Sequence, residues 1–153
     1  MNKNKDDSFQ DQGAVENCYG CGAGNASGLQ IKSFWTADGA TCEFKPKEYH
    51  SGGTPEIVYG GLIASLIDCH SCNLAIATLY KNDKREIGST PKIHCVTADL
   101  NVSYKKPVPI DATITVNAKI TSLEGRKIWV ESEVIANNIV CAEGKVLAIK
   151  LKD

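Results

Sequence analysis

The sequence predicts an α+β domain, an antiparallel β-sheet wrapped around one long central helix. Three observations lead there. Residues 61–81 are apolar on nearly all sides, with Leu62, Ile63, Leu66, Ile67, Leu74, Ala75, Ile76 and Leu79 spread around the helix, and a helix greasy all round is buried rather than laid on a surface. Ile110, Ala112, Ile114, Val116, Ala118 and Ile120 alternate with mainly polar neighbours, the period-two pattern of a half-buried strand. Turn signals at residues 123–126 and at Asn137-Asn138 divide the C-terminal part of the chain into further strands. Such a sheet has one apolar face to cover, and the helix is the element that covers it.

At the N-terminus, residues 1–15 are polar, rich in Asn, Asp, Lys and Gln, and read as a disordered tail. This leaves residues 16–153 as a single domain of ordinary size. A Gly/Cys/Asn-rich loop covers 17–29. Two strands over 29–34 and 41–44 are joined by the turn at Ala37-Asp38-Gly39. A Gly/Pro-rich loop leads to the helix, which stops in the polar stretch 81–85. Leu100, Val102 and Tyr104 then alternate with Asp99, Asn101 and Ser103 until Pro107 and Pro109 break the run. The strand over 110–120, one carrying Ile128, Val130, Val134 and Ala136, and a last one over 140–151 complete a long meander.

Composition excludes several classes of function. Seventeen Lys and Arg against 18 Asp and Glu give a net charge of -1, so no basic excess exists to hold nucleic acid or an anionic membrane. The first fifteen residues lack the apolar core of a secretory signal. Asp68 and His70 interrupt the apolar stretch 62–79, which makes it a poor membrane span. A cytoplasmic protein is expected. The seven cysteines are odd in number, and reduced thiols are the default. Cys18-x-x-Cys21 and Cys69-x-x-Cys72 together offer four thiolates, a set zinc accepts. The pairs lie far apart, however, and the second sits on the buried helix, where cysteine behaves as a small hydrophobe. No metal is expected on that reading.

Tyr59-Gly60-Gly61-Leu62-Ile63-Ala64-Ser65-Leu66-Ile67-Asp68 resembles the His-Gly-Gly motif of phenylacetate-type hotdog thioesterases, with the acid nine places after the motif position. Val96 to Tyr104 with Pro107-Val108-Pro109 behind it is similar to the strand after the helix in that family, and Cys18-Tyr19-Gly20-Cys21-Gly22, Asn25 and Gly28-Leu29 resemble the opening loop of one of its branches. The resemblance covers residues 17–151. It implies a hotdog fold, an acyl-CoA substrate, no cofactor, and side-by-side homodimers that pair further into tetramers. Two positions depart from it: Tyr59 replaces the motif His, and Gly53 occupies the place of an Asn found six residues earlier in some members.

The chemistry then assigns roles. Thioester hydrolysis needs a polarised carbonyl and an activated nucleophile. Backbone N–H groups at a helix start are unpaired and lie at the positive end of the dipole. Gly60-Gly61 would let an acyl carbonyl approach them, with Gly61 as oxyanion donor and Tyr59, Gly60 and Gly53 as substrate-binding positions. Asp68, inside an apolar run, is costly to bury unless used. It is the candidate general base or nucleophile, and the sequence leaves both open. Thr97 matches the position where the family places a hydroxyl beside the acid. His70 and His94 read as structural or surface groups. Lys105, Lys106, Arg126 and Lys127 are candidates for CoA phosphates only by lying at strand ends. Two rivals stand beside hydrolysis: a non-catalytic acyl-CoA-binding hotdog, and a dehydratase or hydratase, which would need a positioned His–acid pair. Seven residues, about 10 Å of helix, separate Gly61 from Asp68, so one chain cannot bring both to one carbonyl, whereas two antiparallel helices across a two-fold axis can.

Overall fold

A computed structural model describes residues 7–152. The greasy run forms α1, Gly60–Asn82, 23 residues long. By length and mean hydropathy, 1.5 over its most apolar window, α1 would cross a bilayer, but 72% of that window is buried inside the fold. Six strands form one antiparallel sheet: β1 Ser33–Trp35, β2 Ala40–Phe44, β3 Cys95–Tyr104, β4 Ile114–Glu124, β5 Lys127–Ala136 and β6 Ile139–Lys150. Their order across the sheet is β1-β2-β4-β5-β6-β3. The helix lies on one face. Its first half packs Leu62, Ile63, Leu66 and Ile67 with Ile114, Val116, Val134, Ala142 and Val146. Its second half packs Leu74, Ala75, Leu79 and Tyr80 with Ile128, Val130 and Ala148.

The turns are those the sequence marks. Gly125, at φ 58°, joins β4 to β5, and Asn137 and Asn138, at φ 50° and 61°, join β5 to β6. Two consecutive positive φ values make the tight turn whose twist suits a hairpin.

Three expectations are corrected. The sheet is not a simple meander: β4, β5 and β6 are, but β3 pairs with β6 at the far edge. The segment around Pro107 and Pro109 carries the chain back to the middle, bridging Pro109 to Ile57 on the way. The first strand starts at Ser33 rather than Leu29, because Gln30 takes a positive φ of 56° and Leu29 and Ile31 bond instead to Tyr19 and Gly20. The tail is the third. Residues 1–6 lie outside the described residues, but from Ser8 the segment is packed. Phe9 is fully buried, bonds through its N–H to Ser33 O at 2.9 Å and meets the Trp35 ring edge-on at 4.8 Å.

A buried polar network ties that segment to the core. Gln10 accepts from Ser33 N–H at 2.8 Å and donates to Ser33 Oγ at 3.2 Å. Ser33 Oγ lies 2.8 Å from His70 Nδ1, and His70 Nε2 lies 3.2 Å from Ala40 O. A carbonyl only accepts, so Nε2 carries the proton and Nδ1 accepts from the serine hydroxyl. His70 is thus structural, and burial pulls its pKa down to about 4. An unfolded chain with a histidine near 6.5 binds a proton that the folded chain refuses between these values. Stability from neutral His70 is therefore complete above pH ~6.5 and is lost as pH falls towards ~4, about 2 kcal/mol of it by pH 5. The drop in Tm from pH 7 to pH 5 is expected to shrink by about 4–8 °C in His70→Gln. An equal drop in both proteins would contradict this account of the network.

Candidate active site

The helix start is built from Tyr59, Gly60 and Gly61. Tyr59 is the N-cap and offers no side-chain cap. Its carbonyl accepts from Leu62 N–H at 3.0 Å and Ile63 N–H at 3.4 Å. The N–H groups of Gly60 and Gly61 bond to nothing among the described residues, as expected of a first turn. The Tyr104 hydroxyl, at the end of β3, donates to Gly60 O at 2.7 Å. A Cβ on Gly61 would fall 2.3 Å from the Tyr59 ring, so this aromatic lies directly over the bare glycine. The ring is 59% exposed and free to swing towards solvent.

Asp68 sits seven residues along α1, half-buried. Thr97 Oγ1 donates a short hydrogen bond to Asp68 Oδ1. A β-bulge creates this contact. Thr97 pairs with Ala148 and Asp99 with Leu147, leaving Ala98 as an extra residue. The alternation of Leu100, Val102 and Tyr104 would by itself put Thr97 on the opposite face. The bulge resets the phase, so Thr97 and Val102 both face α1, a recurrent use of bulges beside active sites.

Asp68 also has cysteines around it. Cys18 Sγ lies 3.8 Å from Cys69 Sγ, and Asn73 Nδ2 donates to Cys21 Sγ at 3.1 Å. The Cys69 thiol and Asn73, as hydrogen-bond donors to Cys21, pull its thiol down to about 7 against the burial that opposes ionisation. Burial pushes the Cys72 thiol up to about 11, and the Asp68 carboxylate adds to that rise.

The remaining candidates divide by place. Lys105 and Lys106 bond through their N–H groups to Cys141 O near the start of β6. With Gly60, Ile63, Tyr104 and Val108 they line a cleft of about 350 Å³ at the helix start. Lys105 pairs with Glu143 at 3.2 Å. Arg126 instead holds Lys150 O at the other end of β6, about 30 Å away at ~3.3 Å per residue, and Lys127 pairs with Ile149 there. Gly53 is exposed with nothing within 4 Å of a Cβ; it stands in the loop closed by the Ser51–Val58 bridge. His94 is exposed. A second concavity, about 730 Å³, runs across the outer face of the sheet between Lys119, Glu131, Glu143 and Lys145 and contains none of the candidate residues. The helix start and Asp68 form the better site, because their groups suit carbonyl chemistry whereas the outer groove offers a mixed-charge surface.

The structure therefore brings together Thr97 with Asp68, and Tyr59 with Gly60 and Gly61. Within one chain it keeps these two groups apart by about 10 Å of helix. Sequence reasoning missed Tyr104, whose alternation marked it only as a strand residue. It weighed Cys18, Cys21, Cys69 and Cys72 together on their spacing and set them aside as separate pairs, whereas Cys18, Cys21 and Cys69 converge.

Comparison with known proteins agrees with this geometry. The family model described as thioesterase superfamily matches residues 56–143. The acyl-coenzyme A thioesterase THEM4 of Mus musculus is 33% identical over 104 residues, covering 67% of this chain and 39% of that protein. The chain thus spans about two fifths of the length of this relative. A thioesterase superfamily protein from Shewanella loihica PV-4 has a crystal structure matching at 34% identity and a TM-score of 0.68, over 92% of this chain and 99% of that one. A phenylacetic acid degradation-related protein from Ralstonia eutropha JMP134 shares the fold at 18% identity, with a TM-score of 0.65 over 79% of this chain and 85% of that one. A single long helix held by a six-stranded antiparallel sheet, a Gly-Gly helix start and an acid on that helix are thus found in a chain that belongs to the thioesterase superfamily and has the hotdog fold.

Proposed function

We propose that this protein is an acyl-CoA thioesterase that releases free acid and CoA at a site shared by two protomers. The observation that carries the reading is the Asp68 carboxylate, half-buried on the central helix and held by the Thr97 hydroxyl. The N–H of Gly61 donates a hydrogen bond to the developing oxyanion. Asp68 acts in one of two ways. As general base it takes a proton from water while the water oxygen bonds to the thioester carbon, and the CoA thiolate leaves and is protonated. As nucleophile its oxygen displaces the CoA thiolate to form an anhydride, which water then cleaves.

The activity of the named relatives, the cleft at the helix start and its two lysines support CoA as the leaving group. Among the described residues, Lys106 has no carboxylate within ion-pair distance, which leaves it for a phosphate. The dimer has support at the sheet edge. Among the described residues β3 pairs only with β6, and it exposes Val96, Leu100 and Tyr104, an unpaired apolar edge of the kind that recruits a second strand. Pairing of two such edges would set two α1 helices antiparallel and bring Gly61 of one towards Asp68 of the other; pairing of two such dimers would give a tetramer. The near-neutral charge argues against nucleic acid as a partner, the burial of α1 against membrane insertion, and the seven free thiols suit the reducing cytoplasm.

One observation favours a second reading, acyl-CoA binding without hydrolysis: the Tyr59 ring covers Gly61. A coupled assay for free CoA across short, medium, long and aryl thioesters separates the two. Turnover on one class is expected. Tight CoA-ester binding with no turnover on any of them would leave the binding module. Thr97→Ala is expected to lower kcat by about tenfold, the worth of one hydrogen bond to a charged group, and so by less than loss of Asp68. Steady-state kinetics on the best substrate check this, and an unchanged rate would return Thr97 to a packing role.

A further inference from the structure

From the convergence of Cys18, Cys21 and Cys69 we infer a binding site for one thiophilic closed-shell cation, Zn²⁺ or Cu⁺, that fastens the N-terminal cysteine loop to α1 beside Asp68. The three sulfur atoms lie within 4.8 Å of one another, and Cys18 and Cys69 are 3.8 Å apart. Two thiolates on one tetrahedral zinc ion, each at about 2.3 Å, are separated by about 3.8 Å. The sulfurs thus stand at ligand spacing, well beyond a disulfide bond. Three ligands from two segments 48 residues apart in sequence, on a loop and a helix, require the fold to gather them.

The surroundings are shaped to this cluster. A Cβ on Gly20 would fall 2.3 Å from Cys69 Sγ, so only glycine lets the loop close over the helical thiol. Asn73 is 1% exposed. Its Nδ2 donates to Cys21 Sγ at 3.1 Å and to Cys69 O at 2.7 Å, while its Oδ1 is buried without a partner among the described residues. A buried amide costs free energy unless it is used, and an N–H aimed at sulfur is the support that metal-bound thiolates receive from their surroundings. The four-thiolate set weighed from the sequence is corrected in one member. Cys72, one turn further on, lies outside the cluster and faces Thr97 Oγ1 at 3.8 Å. Cys18 is half-exposed, so the fourth position opens to solvent and a water ligand. Soft thiolates select Zn²⁺ or Cu⁺ over harder ions.

The test uses the full, reduced chain and reads binding rather than hydrolysis. Zn²⁺, Cu⁺ under anaerobic conditions, and Co²⁺ as a spectroscopic probe are each titrated against a competing chelator. One ion per chain is expected, with sulfur-to-cobalt charge-transfer absorption in the near ultraviolet. Cys21→Ser and Cys69→Ser should weaken binding at least tenfold, and Cys72→Ser should leave it unchanged. Should a variant fail to fold, alkylation of the wild-type protein decides. Bound ion should protect Cys18, Cys21 and Cys69 from iodoacetamide and leave Cys95 labelled as before. Chelation should lower Tm and re-addition restore it. Binding as tight in the Cys21 and Cys69 variants as in wild type, no cobalt–thiolate band, or unprotected cysteines would overturn the site.

Discussion

Asp68→Asn is expected to lower kcat by about 10²–10⁴-fold, the usual contribution of a group that moves the proton or attacks the carbonyl. The fold should survive. Asn is nearly isosteric, and its carbonyl oxygen still accepts the hydrogen bond that Thr97 Oγ1 gives Asp68 Oδ1. The apolar neighbours Leu66 and Ile67 remain fully buried contacts of the sheet. Turnover on the best thioester and Tm are measured together. A large loss of kcat with a Tm within a few degrees of wild type is the expected pair of results, and near-wild-type turnover would remove Asp68 from the reaction.

Gly61→Val is expected to cost about 10²–10³ in kcat, the effect of losing one oxyanion donor. The N–H itself stays, but the side chain blocks the path to it. A single Cβ at this position already falls 2.3–2.6 Å from the atoms of the Tyr59 ring, so the ring must turn outward and the branched side chain then fills the approach to the helix start. Because that ring is exposed and its displacement is cheap, folding should be little affected. Kinetics and melting of this variant decide the role of Gly61, and a kcat unchanged from wild type would deny that an acyl oxygen ever approaches it.

Much of the fold was legible in the sequence, and the reasons are local. α1 announced itself by apolar residues on every face, and β4 and β5 by near alternation of apolar and polar residues, because burial of one sheet face imposes a period of two. Gly125 and Asn137-Asn138 marked their turns because few other residues accept positive φ. The hidden features depend on contacts between distant segments. No local signal placed β3 beyond β6. The alternation of Leu100, Val102 and Tyr104 gave Thr97 the wrong face, because the bulge at Ala98 leaves no compositional trace. Phe9 was lost in a polar tail, since one aromatic anchors a segment only when its partner Trp35 is in place. Of the candidate site, Asp68, Thr97, Gly60 and Gly61 were singled out through motif spacing. The cleft at Lys105 and Lys106 and the thiol cluster next to Asp68 required the fold.

The central claim is that Gly61 and Asp68 of different chains serve one carbonyl, and subunit exchange tests it most directly. Gly61→Val and Asp68→Asn proteins, each reduced to a small residual activity, are mixed in equal amounts and allowed to exchange. If sites are shared across a two-fold axis, half of the dimers are mixed, and each mixed dimer holds one doubly damaged site and one intact site. The account predicts recovery to about a quarter of wild-type activity, by that dimer symmetry. A mixture that exchanges subunits and stays at the sum of the two residual activities would contradict it.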